Sequence, residues 1–150
     1  MNAWSLVLAL HLLCIVIWVG GMFFALVVLR PSLSTLDPAQ RIAILSQVFR
    51  RFFLVIWHVM PLALISGYAM LFGVYGGFRG ANWSIQTMQG IGLIMAAVFL
   101  YVYVSPWPRF RAAVSPARAA GAADMIRKLI LVNLLLGLLN ICIATLGRPL

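Results

Sequence analysis

Residues 4–29 read WSLVLALHLLCIVIWVGGMFFALVVL and contain no aspartate, glutamate, lysine or arginine. About 20 apolar residues in a helix are enough to cross the hydrocarbon core of a bilayer. Lipid offers no hydrogen-bond partner to the backbone, so a segment that crosses it must satisfy its own polar groups. The stretch therefore predicts a transmembrane helix.

Three further apolar runs follow the first. The 150 residues are 65% hydrophobic and 9% charged, a composition unlike that of soluble domains. The predicted spans are residues 4–29, 52–76, 85–104 and 126–146. Four segments are too few to close a barrel, so each is predicted to be a helix. With short connections they predict an all-α fold, an integral membrane antiparallel four-helix bundle that forms a single domain over residues 1–150.

The basic residues indicate how the chain is oriented. Of the eleven lysines and arginines, nine lie in or beside the first and third connections, and the other side has only Arg79 and Arg148. The positive-inside rule places both basic connections in the cytoplasm and both termini on the outer side of the membrane. Topology thus accounts for the net charge of +9, so the predicted partner is the lipid bilayer and no nucleic acid is expected.

The two basic connections differ in pattern. In the first, Asp37 is a predicted N-cap, with Pro38 at the first helical position and Gln40 placed to close a capping box. One face of this segment is apolar and consists of Ile42, Leu45 and Phe49. We expect an amphipathic helix at the cytoplasmic interface that runs into the second span. The third connection, residues 105–124, is rich in proline, alanine and glycine and predicts a mobile loop with arginines near lipid phosphates.

Two histidines lie within the predicted spans, where ionisable side chains are costly and usually functional. On the first span His11, Cys14, Trp18 and Met22 form one stripe at helical spacing. Imidazole, thiol and thioether together suit copper(I), and imidazole alone suits haem iron. The candidate metal ligands are His11, Cys14 and His58, and the candidate cofactor-binding residues are His11, His58, Met22 and Trp18. The same spacing also occurs in ordinary core packing, and a histidine can simply hydrogen-bond a neighbouring helix.

Depth separates the two histidines. With a rise of about 1.5 Å per residue, His11 lies roughly 8 Å on the periplasmic side of the bilayer centre and His58 roughly 8 Å on the cytoplasmic side. We therefore predict that they do not bind the same atom. The predicted neighbours of His58 are Met22 and Tyr101, beside a kink at Pro61. Those of His11 are Cys14, Met70, Asn140 and Cys142.

The third and fourth spans carry small and amide residues at helical spacing. The fourth presents Asn133, Gly137, Asn140 and Ala144 on one face, which predicts close helix packing. The third presents Gln89, Gly92 and Ala96 in the same way. Alternatively, Gly92, Ala96 and Gly137 leave room for a flat porphyrin between the helices. No nucleophile, base and orienting group occur together, so hydrolytic catalysis has no support.

Several stretches resemble the CopD copper-resistance family. They are ALHLLCIVIWVGGMFF (residues 9–24), RRFF (50–53), GYAMLFG (67–73), RKLILVNLLLGLL (127–139) and LGRP (146–149). The resemblance implies an inner-membrane protein that binds copper or transfers it across the membrane. His11, with Cys14 and a methionine, would take copper from the periplasmic side, where a copper or redox partner is expected.

The first span and RRFFLVIWHVMP (residues 50–61) also resemble HemJ, more weakly. That resemblance implies a membrane oxidoreductase or electron carrier with haem b as its cofactor. The chain departs from HemJ in the third span, where Gln89 stands in place of a lysine. It also lacks the Asn-Glu-x-Pro-like opening of the fourth span. An oligomer is compatible with either function.

Overall fold

The computed structural model describes residues 2–147, which are helical with short connections. The elements are α1 (Ala3–Phe23), a π-helical segment (Phe24–Leu29), α2 (Arg30–Ser32), a 3-10 turn (Leu33–Thr35), α3 (Pro38–Gly73), α4 (Trp83–Val104), α5 (Pro106–Arg111) and α6 (Pro116–Leu146). Four helical stretches are long and apolar enough to cross a membrane: Ala3–Thr35, Pro38–Gly73, Trp83–Arg111 and Pro116–Leu146. The predicted all-α membrane protein with four spans is confirmed.

The amphipathic segment and the second span form one continuous helix, α3. It begins with Asp37 at the N-cap and Pro38 at the first position, as predicted, but the Asp37 side chain makes no capping hydrogen bond. Arg41 instead ties the preceding turn to α3, because its guanidinium donates to the carbonyl oxygens of the turn, at 3.0–3.2 Å. The helix continues through Pro61 and ends at Gly73, earlier than predicted from hydropathy.

Most of the segment predicted to be a mobile loop is helical. Pro106 and Pro116 each stand at the start of a helix, α5 and α6. Proline is favoured there, because its missing N–H would have no partner in the first turn anyway. The Ser115 hydroxyl oxygen accepts from the backbone N–H of Arg118 at 3.4 Å and caps α6. The prediction of a mobile loop is wrong, because proline at the first position of a helix starts the helix and does not interrupt it.

Helices that are consecutive in the membrane pack on each other. Trp4 lies against Gly73, and Phe52 lies against Gly21, so residue numbers rise along α1 as they fall along α3. Helices α4 and α6 form the second closely packed pair, with the same reversed order of contacts. We call these pairs the first hairpin (α1 and α3) and the second hairpin (α4 and α6).

The amide face of α6 serves helix packing, as predicted. The Asn133 side-chain amide donates to the Met95 carbonyl oxygen at 3.2 Å, and that of Asn140 donates to the Met88 carbonyl at 3.4 Å. A Cβ on Gly137 would come within 2.9 Å of a Val19 methyl carbon. The absence of a side chain at Gly137 therefore lets α6 approach α1 and α4 closely.

An aromatic cluster joins α5 to α3 and α4. It consists of Phe49, Phe53, Trp57, Phe99, Tyr103, Trp107 and Phe110. Phe53 lies at its centre, with its ring centroid 5.2 Å from that of Trp107, 5.8 Å from Phe49 and 6.0 Å from Phe99. The cluster therefore anchors the third connection to the bundle.

Candidate functional site

His11 reaches from α1 to α3. Its Nδ1 lies 2.9 Å from the carbonyl oxygen of Ala63 and 3.1 Å from the Ser66 hydroxyl oxygen. A carbonyl oxygen only accepts, so Nδ1 carries the ring proton and donates it. The Ser66 hydroxyl donates within its own helix, to the Leu62 carbonyl at 2.6 Å. This arrangement fixes the tautomer and leaves the lone pair of the imidazole on Nε2.

Small residues of α3 make room for the ring. A Cβ on Gly67 would lie 3.2 Å from Cε1 of His11 and 3.6 Å from Nε2 of Gln89, which comes from α4. The imidazole and the Gln89 amide thus converge on the same glycine from two helices. We call His11, Ala63, Ser66, Gly67 and Gln89 the His11 site.

The remaining stripe residues of α1 point into the bundle. Cys14, Trp18 and Met22 are all buried, with exposed fractions of 4%, 2% and 1%. Cys14 is a free thiol one helical turn from His11. Within residues 2–147, no group of three or more His, Cys, Asp or Glu side chains could hold a metal ion. The described residues thus contain no preformed metal site of these residue types at His11.

The stripe ends at a small gap in the core. A cavity of about 10 Å³ is bounded by Trp18, Met22, Phe99 and Asn133, among others. Asn133 Oδ1 is buried and has no hydrogen-bond partner among the described residues. A cavity of this size is at the lower limit for one water molecule. Asn133, with its unpaired oxygen, and Met22 therefore line the same gap, at the end of the stripe farthest from His11.

His58 lies elsewhere. It is exposed on α3, and its Nδ1 donates to the Leu54 carbonyl oxygen one turn earlier, at 2.8 Å. The α3 residues that contact His11, Ala63 and Ser66, follow His58 by about 8 to 12 Å along the helix axis. The structure does not bring the two imidazoles to common partners. A ligand role for His58 stays a prediction.

The hydrogen-bond partners of His11 are α3 residues and not the neighbours expected at its depth, of which Cys14 lies one turn away on α1. Cys142 is exposed, and Asn140 bonds to the Met88 carbonyl. The groups that orient the ring are Ala63, Ser66 and Gly67, which the sequence analysis did not single out. The available signal was their spacing of small residues on one face of α3, which permits close approach of another helix.

Two of the glycines proposed to face a porphyrin differ in how closely protein covers them. Gly137 is covered by Val19 and Met95, since a Cβ there would lie 2.9 Å and 3.1 Å from their side chains. A Cβ on Gly92 would meet a Leu64 methyl at 4.0 Å. The haem alternative, in which Gly92, Ala96 and Gly137 would face a porphyrin, therefore gains no support from the geometry.

Comparison with known proteins identifies one family. The family model described as "CopD: Copper resistance protein D" matches residues 46–146, about two thirds of the chain. The match includes His58, Ser66 and Gln89, whereas α1 with His11 lies outside it. No curated protein and no solved structure matches the chain. The resemblance to HemJ gains no support from these comparisons.

Proposed function

Since this chain belongs to the copper resistance protein D family, we propose that it binds copper(I) at His11 and transfers it along α1. Copper is the cargo in this proposal. Imidazole, thiol and thioether are all ligands that copper accepts, and the sulfur ligands favour copper(I) over harder ions.

The observation that carries the proposal is the hydrogen bond from His11 Nδ1 to the Ala63 carbonyl oxygen, at 2.9 Å. Metal-binding histidines almost always donate their second ring N–H to a carbonyl, a carboxylate or water, which orients the ring and raises its basicity. The Nδ1–H of His11, on α1, donates in this way to a carbonyl oxygen of α3. The Nε2 lone pair remains for the metal, because that nitrogen has no hydrogen-bond partner within the described chain.

Transfer would follow the buried stripe. At about 1.5 Å per residue, Cys14 lies roughly 4.5 Å and Met22 roughly 16 Å along the axis from His11. Trp18 stands between the two sulfur residues, and an indole face attracts a cation within about 6 Å of the ring centroid. The order imidazole, thiol, indole, thioether therefore gives a series of copper contacts that begins at the half-buried His11 and continues through three buried side chains.

Copper binding is tested on anaerobically purified protein titrated with copper(I) against a chelator. We expect one copper(I) per chain, with both nitrogen and sulfur scatterers in its X-ray absorption spectrum. The visible spectrum of the same sample should lack a haem band. A protein that retains no copper, or one that purifies with haem, contradicts the proposal.

The direction of transfer depends on topology. We propose that both termini face the periplasm of the inner membrane, because most basic residues lie at the opposite ends of the spans. The structure brings the two basic connections together, since Arg30, Arg41 and Arg127 line one groove. We call this end of the bundle the basic end.

Single cysteines report the topology. In a variant without Cys14 and Cys142, cysteines introduced at Asn2, Arg79 and Val114, all exposed, are treated with an impermeant thiol reagent in intact cells. We expect labelling at positions 2 and 79 and none at 114 until the membrane is permeabilised. Labelling of position 114 alone would reverse the topology and the proposed direction.

A further inference from the structure

A groove of the basic end lies where the π-helical segment, the start of α3 and the start of α6 meet. Its volume is about 440 Å³, within the range of ligand pockets. The apolar part of the groove includes Leu26, Ile42 and Leu45. Leu26 belongs to the π-helical segment, a type of helix distortion that is frequent at functional sites.

The groove carries a net positive charge. Its lining contains Arg30, Arg41 and Arg127 against a single carboxylate, Asp124. Asp124 is already neutralised, because it pairs with Arg127 at 2.7 Å and with Lys128 at 2.9 Å. Arg41 is held by backbone carbonyls, which carry no full charge. Arg30 is exposed and has no hydrogen bond or ion pair among the described side chains.

We propose that this groove binds one anionic phospholipid of the surrounding bilayer. The arginines would hold the phosphate, and Leu26, Ile42 and Leu45 would contact the first part of an acyl chain. Basic pockets between transmembrane helices at the membrane surface bind phospholipid headgroups in this manner. A free phosphate ion would use only the arginines and leave the apolar lining in water, so the amphipathic lining favours the lipid.

The test uses the full chain in detergent and native mass spectrometry with phosphatidylglycerol and phosphatidylcholine of identical acyl chains. We expect tighter binding of phosphatidylglycerol. Arg30→Gln should weaken it roughly fivefold, the effect of one basic residue near an anionic lipid, and weaken phosphatidylcholine less, because choline offsets the charge of its phosphate. Arg118→Gln is the matched control, because Arg118 is exposed on the same end of α6 but does not line the groove.

A second variant tests the apolar part of the groove without changing its charge. Leu45→Trp fills the apolar part without removing an arginine, and we expect it to weaken phosphatidylglycerol binding as well. Equal binding of the two lipids by the wild type, or an equal loss in Arg118→Gln, overturns the proposal. Displacement of the lipid by millimolar inorganic phosphate would identify a free-anion site and overturn it too. Circular dichroism shows whether each variant is folded, and copper binding at His11 is not involved in any of these measurements.

Discussion

We expect the replacement of His11 by alanine to abolish copper(I) retention by the purified protein. Removal of a group that only orients a metal ligand typically costs 10–100-fold in affinity, so removal of the ligand itself should cost more than about 100-fold. The ring is held by α3 through the Ala63 carbonyl, and alanine has no atom that could bind a metal in its place. A competition titration with a copper(I) chelator measures the loss.

Three variants accompany this measurement. Ser66→Ala removes one acceptor of the His11 proton but keeps the Ala63 carbonyl, so we expect a loss of about tenfold or less. Cys14→Ala should cost less than His11→Ala, and His58→Ala should leave the His11 site loaded because His58 lies elsewhere on α3. If Cys14→Ala is the more damaging change, the primary site consists of sulfur ligands and His11 is not its centre.

Replacing Phe53 by alanine is the substitution expected to destabilise the bundle most. Phe53 is 2% exposed and contacts aromatic rings of α3, α4 and α5. Buried phenylalanine truncations cost about 3–5 kcal/mol in soluble proteins. In a bilayer the unfolded helix still keeps the ring in lipid, so only packing is lost. We therefore expect the lower end, about 3 kcal/mol.

The matched control for Phe53 is its neighbour Leu54, which is 62% exposed on the same helix. Leu54→Ala should leave the free energy of unfolding unchanged, since its side chain faces lipid in either state. Unfolding in mixed detergent micelles, followed by circular dichroism, compares the two variants. Equal stability of Phe53→Ala and Leu54→Ala would show that the aromatic cluster does not anchor α5.

The spans could be predicted because a bilayer permits so few structures. An apolar run of the right length can only be a helix, and hydropathy locates it without knowledge of its neighbours. Helix α5 could not be predicted, because its formation depends on contacts with neighbouring helices. Proline at Pro106 is compatible with a break or a helix start, and only the contacts of Trp107 and Phe110 with α3 decide between them.

The candidate site was predicted only in part. His11 stood out because an ionisable residue in a span is rare, whereas Ala63 and Gly67 have no reactive groups and give no signal of their own. The exposure of His58 was not predictable either. A membrane helix is apolar on nearly every face, so hydrophobic periodicity does not reveal which side faces the protein. The rotation of α3 that places Ser66 inward and His58 outward depends on packing with the other helices.

The hairpin pairing of the spans has a consequence for biogenesis. Domains form from the N-terminus during synthesis, at about 5–20 residues per second, and the contacts between α1 and α3 involve no later part of the chain. The hydrogen bond from His11 to Ala63 can thus form before α4 leaves the ribosome. Gln89 of α4, which meets Gly67 beside the imidazole, is synthesised later and would join a ring that α3 already holds.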